Sequence, residues 1–238
     1  MRVPLSLSGS GLQLLPIEAA TYVTRVHRLG PGDHFLAFDP ERALEAEAEL
    51  VEVSRKGATI RLDAPRPASR TPARRVTLLQ GTCKGDKMDA IVRDATELGA
   101  TRVVPVITER SIARPDAARA DRWRRIAVEA ARQCGRGDVP RIEEPTPIAA
   151  LLAQTRDPQV SAFCLDPRAE RSLGVALAGL ATDAEVAFLV GPEGGLSDEE
   201  IASAMRAGYA PTRLGTLVLR TETVCAAVLG GLLLTSVS

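Results

Sequence analysis

The spacing of apolar positions along the chain changes character near residue 76. Before it, short strand-like stretches occur at Tyr22–Leu29, His34–Phe38, Glu47–Ser54 and Thr59–Leu62. Glu47–Val53 alternates polar with apolar residues, as a half-buried strand does. Pro-Gly and Lys-Gly pairs punctuate these stretches, and a small β-barrel is the natural way to close them. Asp63–Arg75 carries three prolines and no periodic apolar face, which predicts a linker.

Beyond the linker the pattern alternates strand with helix. Val76–Gln80 reads as a strand and Lys87–Leu98 as a helix, with Met88, Ile91, Ala95 and Leu98 on one side and Gly99 as its stop. Arg102–Ile107 is the next strand. Ala117–Cys134 is a long helix with Trp123, Ile126, Ala130 and Cys134 at helical spacing. Val160–Leu165 and Glu185–Val190 are apolar strands that end in loops. This alternation predicts an α/β fold, a mostly parallel sheet with helices on both faces. Ligands of such sheets bind beyond the carboxyl ends of the strands, which directs attention to the loops there.

Composition narrows the picture. Of 238 residues 45% are hydrophobic but only 3% aromatic, so the core is built of Ala, Leu and Val. Formal net charge is zero, and no global field draws the chain to nucleic acid or an acidic membrane; RNA binding would need local clusters. Lysine occurs only at 56, 84 and 87, the other basic residues being Arg. Arg forks suit phosphate and stacked bases, although an Arg- and Ala-rich codon bias accounts for the excess equally well. The four cysteines lie far apart and the two histidines, His27 and His34, lack acidic or Cys partners at ligand spacing, so neither a metal nor a disulfide framework is expected. The first residues lack a signal-peptide pattern and the apolar Val224–Leu234 run is too short to span a bilayer. A reduced, soluble, cytoplasmic setting without membrane contact follows as the expectation.

Two stretches carry candidate chemistry. In the first, an apolar strand runs into Gly191-Pro-Glu-Gly-Gly195, and Ser197-x-x-Glu200 forms a capping box opening a helix. Glycines here expose backbone N–H and C=O groups and permit close approach. Pro192 excludes the G-x-G-x-x-G dinucleotide pattern, and the absence of G-K-[ST] excludes a P-loop. In the second, Arg213-Leu-Gly-Thr-Leu-Val-Leu-Arg-Thr-Glu-Thr223 precedes the last helix, Val224–Leu234. Gly215 permits a tight turn, Leu217, Val218 and Leu219 form an apolar wall, Thr221 can cap the helix, and Glu222 is favoured at its positive end. An apolar wall beside backbone polar groups suits an adenine. Alone, the first stretch is also compatible with an ordinary strand-to-helix turn, and the second reads more readily as a helix cap with an Arg–Glu surface pair.

Taken together, these two stretches resemble the RsmE-type family of 16S ribosomal RNA (uridine-N3) methyltransferases, of the SPOUT class. Other segments agree in order. Lys84-Gly-Asp-Lys-Met88 and Thr96-Glu-Leu-Gly99 are similar to the family's K-G-x-K-M and E-L-G, with a Val-Val-Pro-Val strand and Glu109-Arg-Ser111 following. Glu129-Ala-Ala-Arg-Gln-Cys-Gly-Arg136 with Pro140, Asp166-Pro-Arg-Ala169 and Val26-His-Arg-Leu-Gly-Pro-Gly-Asp33 also resemble family segments. The chain departs from the pattern at Leu217, where the family has Arg, at His27 for Leu, and at Arg132 for Glu.

The resemblance implies a PUA-like β-barrel RNA-binding domain over residues 1–70 and a SPOUT methyltransferase domain over 71–238, whose C-terminal segment forms a trefoil knot. It implies a homodimer acting on 16S ribosomal RNA of the small subunit. S-adenosylmethionine would lie bent between three loops, held by Leu165, Gly191, Gly194, Gly195, Leu214, Gly215, Leu219 and Thr223. Arg2, Arg25, Arg28 and Arg136 are candidates for phosphate contacts. Methyl transfer to N3 of uracil requires removal of its proton. Arg220 would offset negative charge on a uracil oxygen, and Glu222, with Glu193 as second candidate, would orient the base or relay the proton. Two alternatives stay open at this point: another knotted methyltransferase acting on transfer RNA or a ribose 2′-hydroxyl, and a noncatalytic RNA-binding assembly factor.

Overall fold

The computed structural model describes residues 1–55, 57–112 and 114–235. Two compact units are present, Met1–Thr71 with Val128–Val139, and Pro72–Ala127 with Pro140–Ser238.

The first unit is built from β1 (Arg2–Pro4), β2 (Gly11–Leu14), α1 (Ile17–Thr21), β3 (His34–Asp39), β4 (Leu44–Ser54), β5 (Gly57–Leu62) and β6 (Arg66–Pro67). Its sheet runs β1-β3-β4-β5-β2, with β6 also paired to β4. Every pair is antiparallel except β1 with β3. The 11-residue β4 is the spine, and a register shift between Leu50 and Glu52 bends it. Val3, Leu7, Phe35, Leu50, Ile60 and Leu62 fill the core.

Three features of this unit differ from the sequence expectation. The stretch beginning at Tyr22 is not a strand: α1 continues into a π-helical turn over Tyr22–Val26. Tyr22, Val23, Thr24 and Val26 look strand-like in composition, but Ala20 and Val23 are the buried residues, one helical turn apart. The amide of His27 reaches back to the Tyr22 carbonyl at 3.1 Å. Asp63–Arg75 is not a free linker, because β6 pairs with β4, the Gly137 amide donates to the Arg70 carbonyl at 2.7 Å, and Arg74 is buried. Val128–Val139, at the end of the long helix, belongs with the N-terminal strands, which a contiguous division at residue 70 does not anticipate.

The second unit follows the chain through β7 (Val76–Gly81), α2 (Lys87–Glu97), β8 (Arg102–Ile107), α3 (Ala117–Cys134), β9 (Arg141–Ile142), β10 (Thr146–Pro147) and α4 (Ile148–Leu152). It continues with β11 (Ser161–Leu165), α5 (Leu173–Leu177), β12 (Val186–Val190), α6 (Asp198–Arg206), β13 (Ala210–Thr212) and α7 (Thr221–Thr235). The sheet is parallel throughout, in the order β10-β8-β7-β12-β11-β13, with β9 beside β8. Both faces are covered. Leu78, Val103, Phe163 and Phe188 face α2, α3, α5 and α7, while Leu79, Val104, Cys164 and Leu189 face α4 and α6. Such strands are apolar on both sides and therefore read as continuous runs.

Gly99 ends α2 at φ 87°, and the Ala100 amide closes the turn on the Ala95 carbonyl at 2.9 Å. The last helix begins at Thr221, three residues before the apolar run that announces it. Adjacent in space but not in sequence, β7 and β12 mark the crossover point of the sheet, and their carboxyl ends open side by side.

Candidate functional site

At Val190 β12 leaves the sheet and enters the glycine-rich turn. The Gly195 amide closes it on the Pro192 carbonyl at 2.9 Å, with Gly195 at φ 70°, a conformation open to glycine at little cost. The capping box then forms as the sequence predicts: Ser197 Oγ accepts from the Glu200 amide at 3.3 Å, and Glu200 Oε2 accepts from the Ser197 amide at 2.9 Å. Glu200 has a second task. Its Oε1 accepts the Glu109 amide at 2.7 Å, while Arg110 Nη1 donates to the Gly194 carbonyl at 2.9 Å. The loop after β8 thereby braces the turn after β12.

A tighter constraint comes from β7. A Cβ placed on Gly81 would lie 2.4 Å from the Pro192 nitrogen and 2.8 Å from the Gly191 carbonyl carbon. One on Gly191 would lie 2.8 Å from the Gly195 carbonyl carbon. The backbones touch directly. Beside this contact, fully buried Gln80 donates through Nε2 to Thr221 Oγ1 at 2.9 Å, and Thr221 Oγ1 donates to the Gly191 carbonyl at 2.8 Å. Thr221 is therefore not the helix cap expected of it. It is the first residue of α7, and its hydroxyl is consumed by a buried carbonyl that has to be satisfied.

These contacts frame a cavity of about 640 Å³. Of the residues expected to hold a cofactor, Leu165, Gly191, Gly194, Gly195, Leu214, Gly215 and Leu219 line it. Thr223 does not; it is exposed on α7, between Glu222 and Val224, which do line the cavity. The candidates for chemistry, Arg220, Glu222 and Glu193, all face it. Leu217 and Val218 stand on its rim, 76% and 80% exposed, so the residue that replaces the family's Arg borders solvent. Thr212 also lines it. Its Oγ1 is buried with no hydrogen-bond partner among the described residues.

The mouth carries balanced charge. Lys87, at the start of α2, approaches Glu193 Oε1 at 3.0 Å and Glu222 Oε2 at 4.0 Å. Burial acts to raise the Glu193 carboxyl, but its own amide, Lys87 and the Lys84 amide outweigh that and hold it below the usual carboxylate range. The hydrogen bond to Glu193 raises Lys87. Lys87, Gln80 and Arg110 were not among the expected site residues, because each acquires its role from a partner far along the chain, and Thr212 was not because its burial is set by the fold. Among the described residues no cluster of His, Cys, Asp and Glu could hold a metal.

In the first unit the four arginine candidates for RNA divide. Arg25 and Arg28 are exposed, Arg28 at φ 58°. Arg2 lies 4.9 Å over the Phe38 ring and 3.6 Å from buried Glu45, and Arg136 is 6% exposed and paired with Asp138 at 2.6 Å. Both are engaged in folding contacts. His27 and Arg132, two further departures from the family pattern, meet on Tyr22: the His27 ring packs edge-on at 4.5 Å and the Arg132 guanidinium lies over the ring at 4.1 Å.

Residues 69–233 match the family model for the RNA methyltransferase domain. A ribosomal RNA small subunit methyltransferase E from Synechocystis is 32% identical over 85% of this chain, which spans 66% of that relative's length, just under two thirds. One from Mycobacterium bovis is 30% identical over 88% of this chain and 81% of the relative. The solved structure of a ribosomal RNA small subunit methyltransferase E from Neisseria gonorrhoeae, bound to S-adenosylmethionine, has a TM-score of 0.88 at 27% identity, covering 98% of this chain and 96% of that one. A methyltransferase from Legionella pneumophila, solved with bound cofactor SAM, has a TM-score of 0.86 at 28% identity over the same shares of the two chains. The fold and the site are those of an RNA methyltransferase. The chain belongs to the ribosomal RNA small subunit methyltransferase E family.

The backbone contact at Gly81 yields a direct test. Gly81→Ala is expected to cost about 2 kcal/mol or more, in the range of overpacked cores. Thermal unfolding that matches the parent protein would contradict the close approach described.

Proposed function

We propose that this protein transfers the methyl group of S-adenosylmethionine to N3 of a uridine in 16S ribosomal RNA. The observation that carries the reading is the union of the glycine turn, the Leu214–Leu219 wall and Arg220–Glu222 around one cavity. The residues fit the cofactor. The cavity is of a size for a nucleoside with an amino-acid tail. Glycine backbone and leucine side chains are among its lining, and the Thr212 hydroxyl is left for a ligand to satisfy. Leu165, Gly191, Gly194, Gly195, Leu214, Gly215 and Leu219 would hold it. Thr223 is the weakest member of the expected set, since its side chain lies outside the cavity lining. Bound there, S-adenosylmethionine supplies an electrophilic methyl group on a positively charged sulfur.

The protein's own part is to position the uracil and to take the N3 proton. Glu193 is committed to Lys87 and the Lys84 amide. Glu222 has no hydrogen bond to Oε2 among the described residues and meets Lys87 only at 4.0 Å. Glu222 is therefore the better proton acceptor and Glu193 the anchor of Lys87. Exposed Arg220, two residues before Glu222, faces the same cavity and would stabilise charge developing on a uracil oxygen as the proton leaves.

The finer expectations belong to the same reading. β13 returns beside β11, the Arg213 amide bonds to the Arg171 carbonyl and the Leu173 amide to the Arg213 carbonyl, and α7 then packs on α2. This path is compatible with the SPOUT-type trefoil knot. Leu233 and Leu234, 42% and 84% exposed on α7, favour a homodimer. A PUA-like barrel over residues 1–70 would present Arg25 and Arg28 to RNA more readily than Arg2 or Arg136, and the methyltransferase domain would occupy 71–238. The site of action is the bacterial cytoplasm; among the described residues no helix is long and apolar enough to cross a membrane.

Mass spectrometry of small-subunit RNA from cells with and without the gene tests the function. N3-methyluridine should disappear from 16S RNA and return on incubation with protein and cofactor. A lost ribose methyl or a transfer RNA product would overturn the assignment. Within the site, Arg220→Ala and Glu222→Gln should each lower kcat roughly a hundredfold while retaining cofactor affinity; intact turnover in either removes that residue from the mechanism. Gly195→Val forces a β-branched residue to positive φ, costing about 1–3 kcal/mol, and should weaken cofactor binding in calorimetry by about tenfold or more. Unchanged binding refutes the placement of the cofactor.

A further inference from the structure

A second cavity, of about 280 Å³, lies in the same unit as the first. Consecutive residues of α2 face the two: Lys87 lines the larger, Met88 the smaller. The segment that leaves β7 at Gly81, in contact with Pro192, supplies Thr82 and Cys83 to the smaller cavity two residues later. Its floor is apolar, formed by Met88 and Trp123, each 2% exposed, together with Cys83. Burial pushes the Cys83 thiol up to about 12, so it is a neutral wall rather than a nucleophile. Trp123 is fixed through Nε1 to Asp89 Oδ1 at 3.0 Å, so the floor is rigid.

The rim is cationic. Arg114 and Arg119 line it, both are exposed, and neither side chain makes a hydrogen bond or ion pair among the described residues. Most other arginines of this unit are engaged: Arg122 with Asp89, Arg124 with Asp121 and Glu144, Arg102 with Glu143, Arg168 with Asp166 and Asp198. The one carboxylate on the rim is Asp116, and its Oδ1 already accepts the Arg119 amide at 3.1 Å. In a chain of zero net charge, two uncommitted guanidinium groups at one cavity form a local site for a phosphate or a stacked base.

We propose that this second cavity receives a nucleotide of the RNA adjacent to the target uridine, its base against Met88 and Pro115 and its phosphate between Arg114 and Arg119. The inference rests on the RNA methyltransferase reading. An RNA strand that delivers one base to the first cavity continues past its mouth, and consecutive residues of α2, Lys87 and Met88, line the first and the second cavity. Apolar floor and cationic rim together suit a nucleotide, whereas an acidic peptide would use the rim and leave the floor empty.

The test uses full-length protein, protein-free 16S RNA as the probe, and the variants Arg114→Ala/Arg119→Ala and Arg114→Lys/Arg119→Lys. In filter binding the alanine pair should weaken RNA affinity by about tenfold, and log Kobs should fall less steeply with log salt, by about one to two in slope. In the methyl-transfer assay KM for RNA should rise with kcat retained at saturation, and the lysine pair should recover the salt slope. Cofactor affinity by calorimetry and thermal unfolding should match the parent protein, separating this effect from misfolding. Parental RNA affinity and salt slope in the alanine pair overturn the proposal. So does a loss confined to kcat, which would assign the arginines to the reacting base. If the parent protein binds RNA but methylates neither it nor the RNA of assembled small subunits, the functional reading fails, and the binding series still decides the cavity.

Discussion

The peptide backbone of Gly81 runs so close to the Gly191–Pro192 peptide that a side chain at Gly81 would occupy space already filled by that segment. The rest of the site depends on this contact. It presses the end of β7 against the turn after β12 and leaves the Gly191 carbonyl facing inward, where it has to find a donor. Thr221 supplies that donor and Gln80 donates to Thr221 in turn. The start of α7 is thus fixed on the glycine turn by buried hydrogen bonds, each worth more to lose than to make. Arg220 and Glu222 flank Thr221, so both inherit their positions from a contact between backbones.

Within this frame the cavity lining mixes glycine and leucine with charged side chains, several of which stand at its mouth. There Lys87 separates two carboxylates that would otherwise be alike. Glu193 lies nearer and accepts two donors, while Glu222 lies farther and keeps an oxygen free of hydrogen bonds among the described residues. A difference of one ångström in distance to a shared cation sets the two carboxylates apart.

Much of the second unit was legible because its determinants are local. Val76–Gln80, Arg102–Ile107 and Glu185–Val190 are continuous apolar runs, Gly99 is a helix stop, and Ser197 with Glu200 is a capping box contained in four residues. Elements of two or three residues, such as β9, β10 and β13, have no period to detect and exist through pairing alone. Tyr22–Val26 misled because a β-branched composition is shared by strands and by a π-helical turn whose burial is set by tertiary packing. The same division holds in the site. Gly191 and Gly195 announce themselves as glycines, the first needed for a close backbone approach and the second for a positive φ. Gln80 does not, since its partner Thr221 lies 141 residues away. Arginine is the least legible of all: Arg2 and Arg136 are as basic in the sequence as Arg25, and only the fold reveals that both already have partners.

The departures from the family pattern follow the same logic of partners. His27 and Arg132 both stand where other residues are usual, and both meet on one ring, that of Tyr22. An Arg that replaces an acidic residue in a helix gains a cation–π contact worth about 0.5–1 kcal/mol at an exposed site, and a His beside the same ring packs its edge. Two changes that look independent along the chain therefore form one packing unit in space. Leu217 has no such compensation. It stands 76% exposed at the cavity rim, where burying an apolar side chain gains free energy only when something covers it.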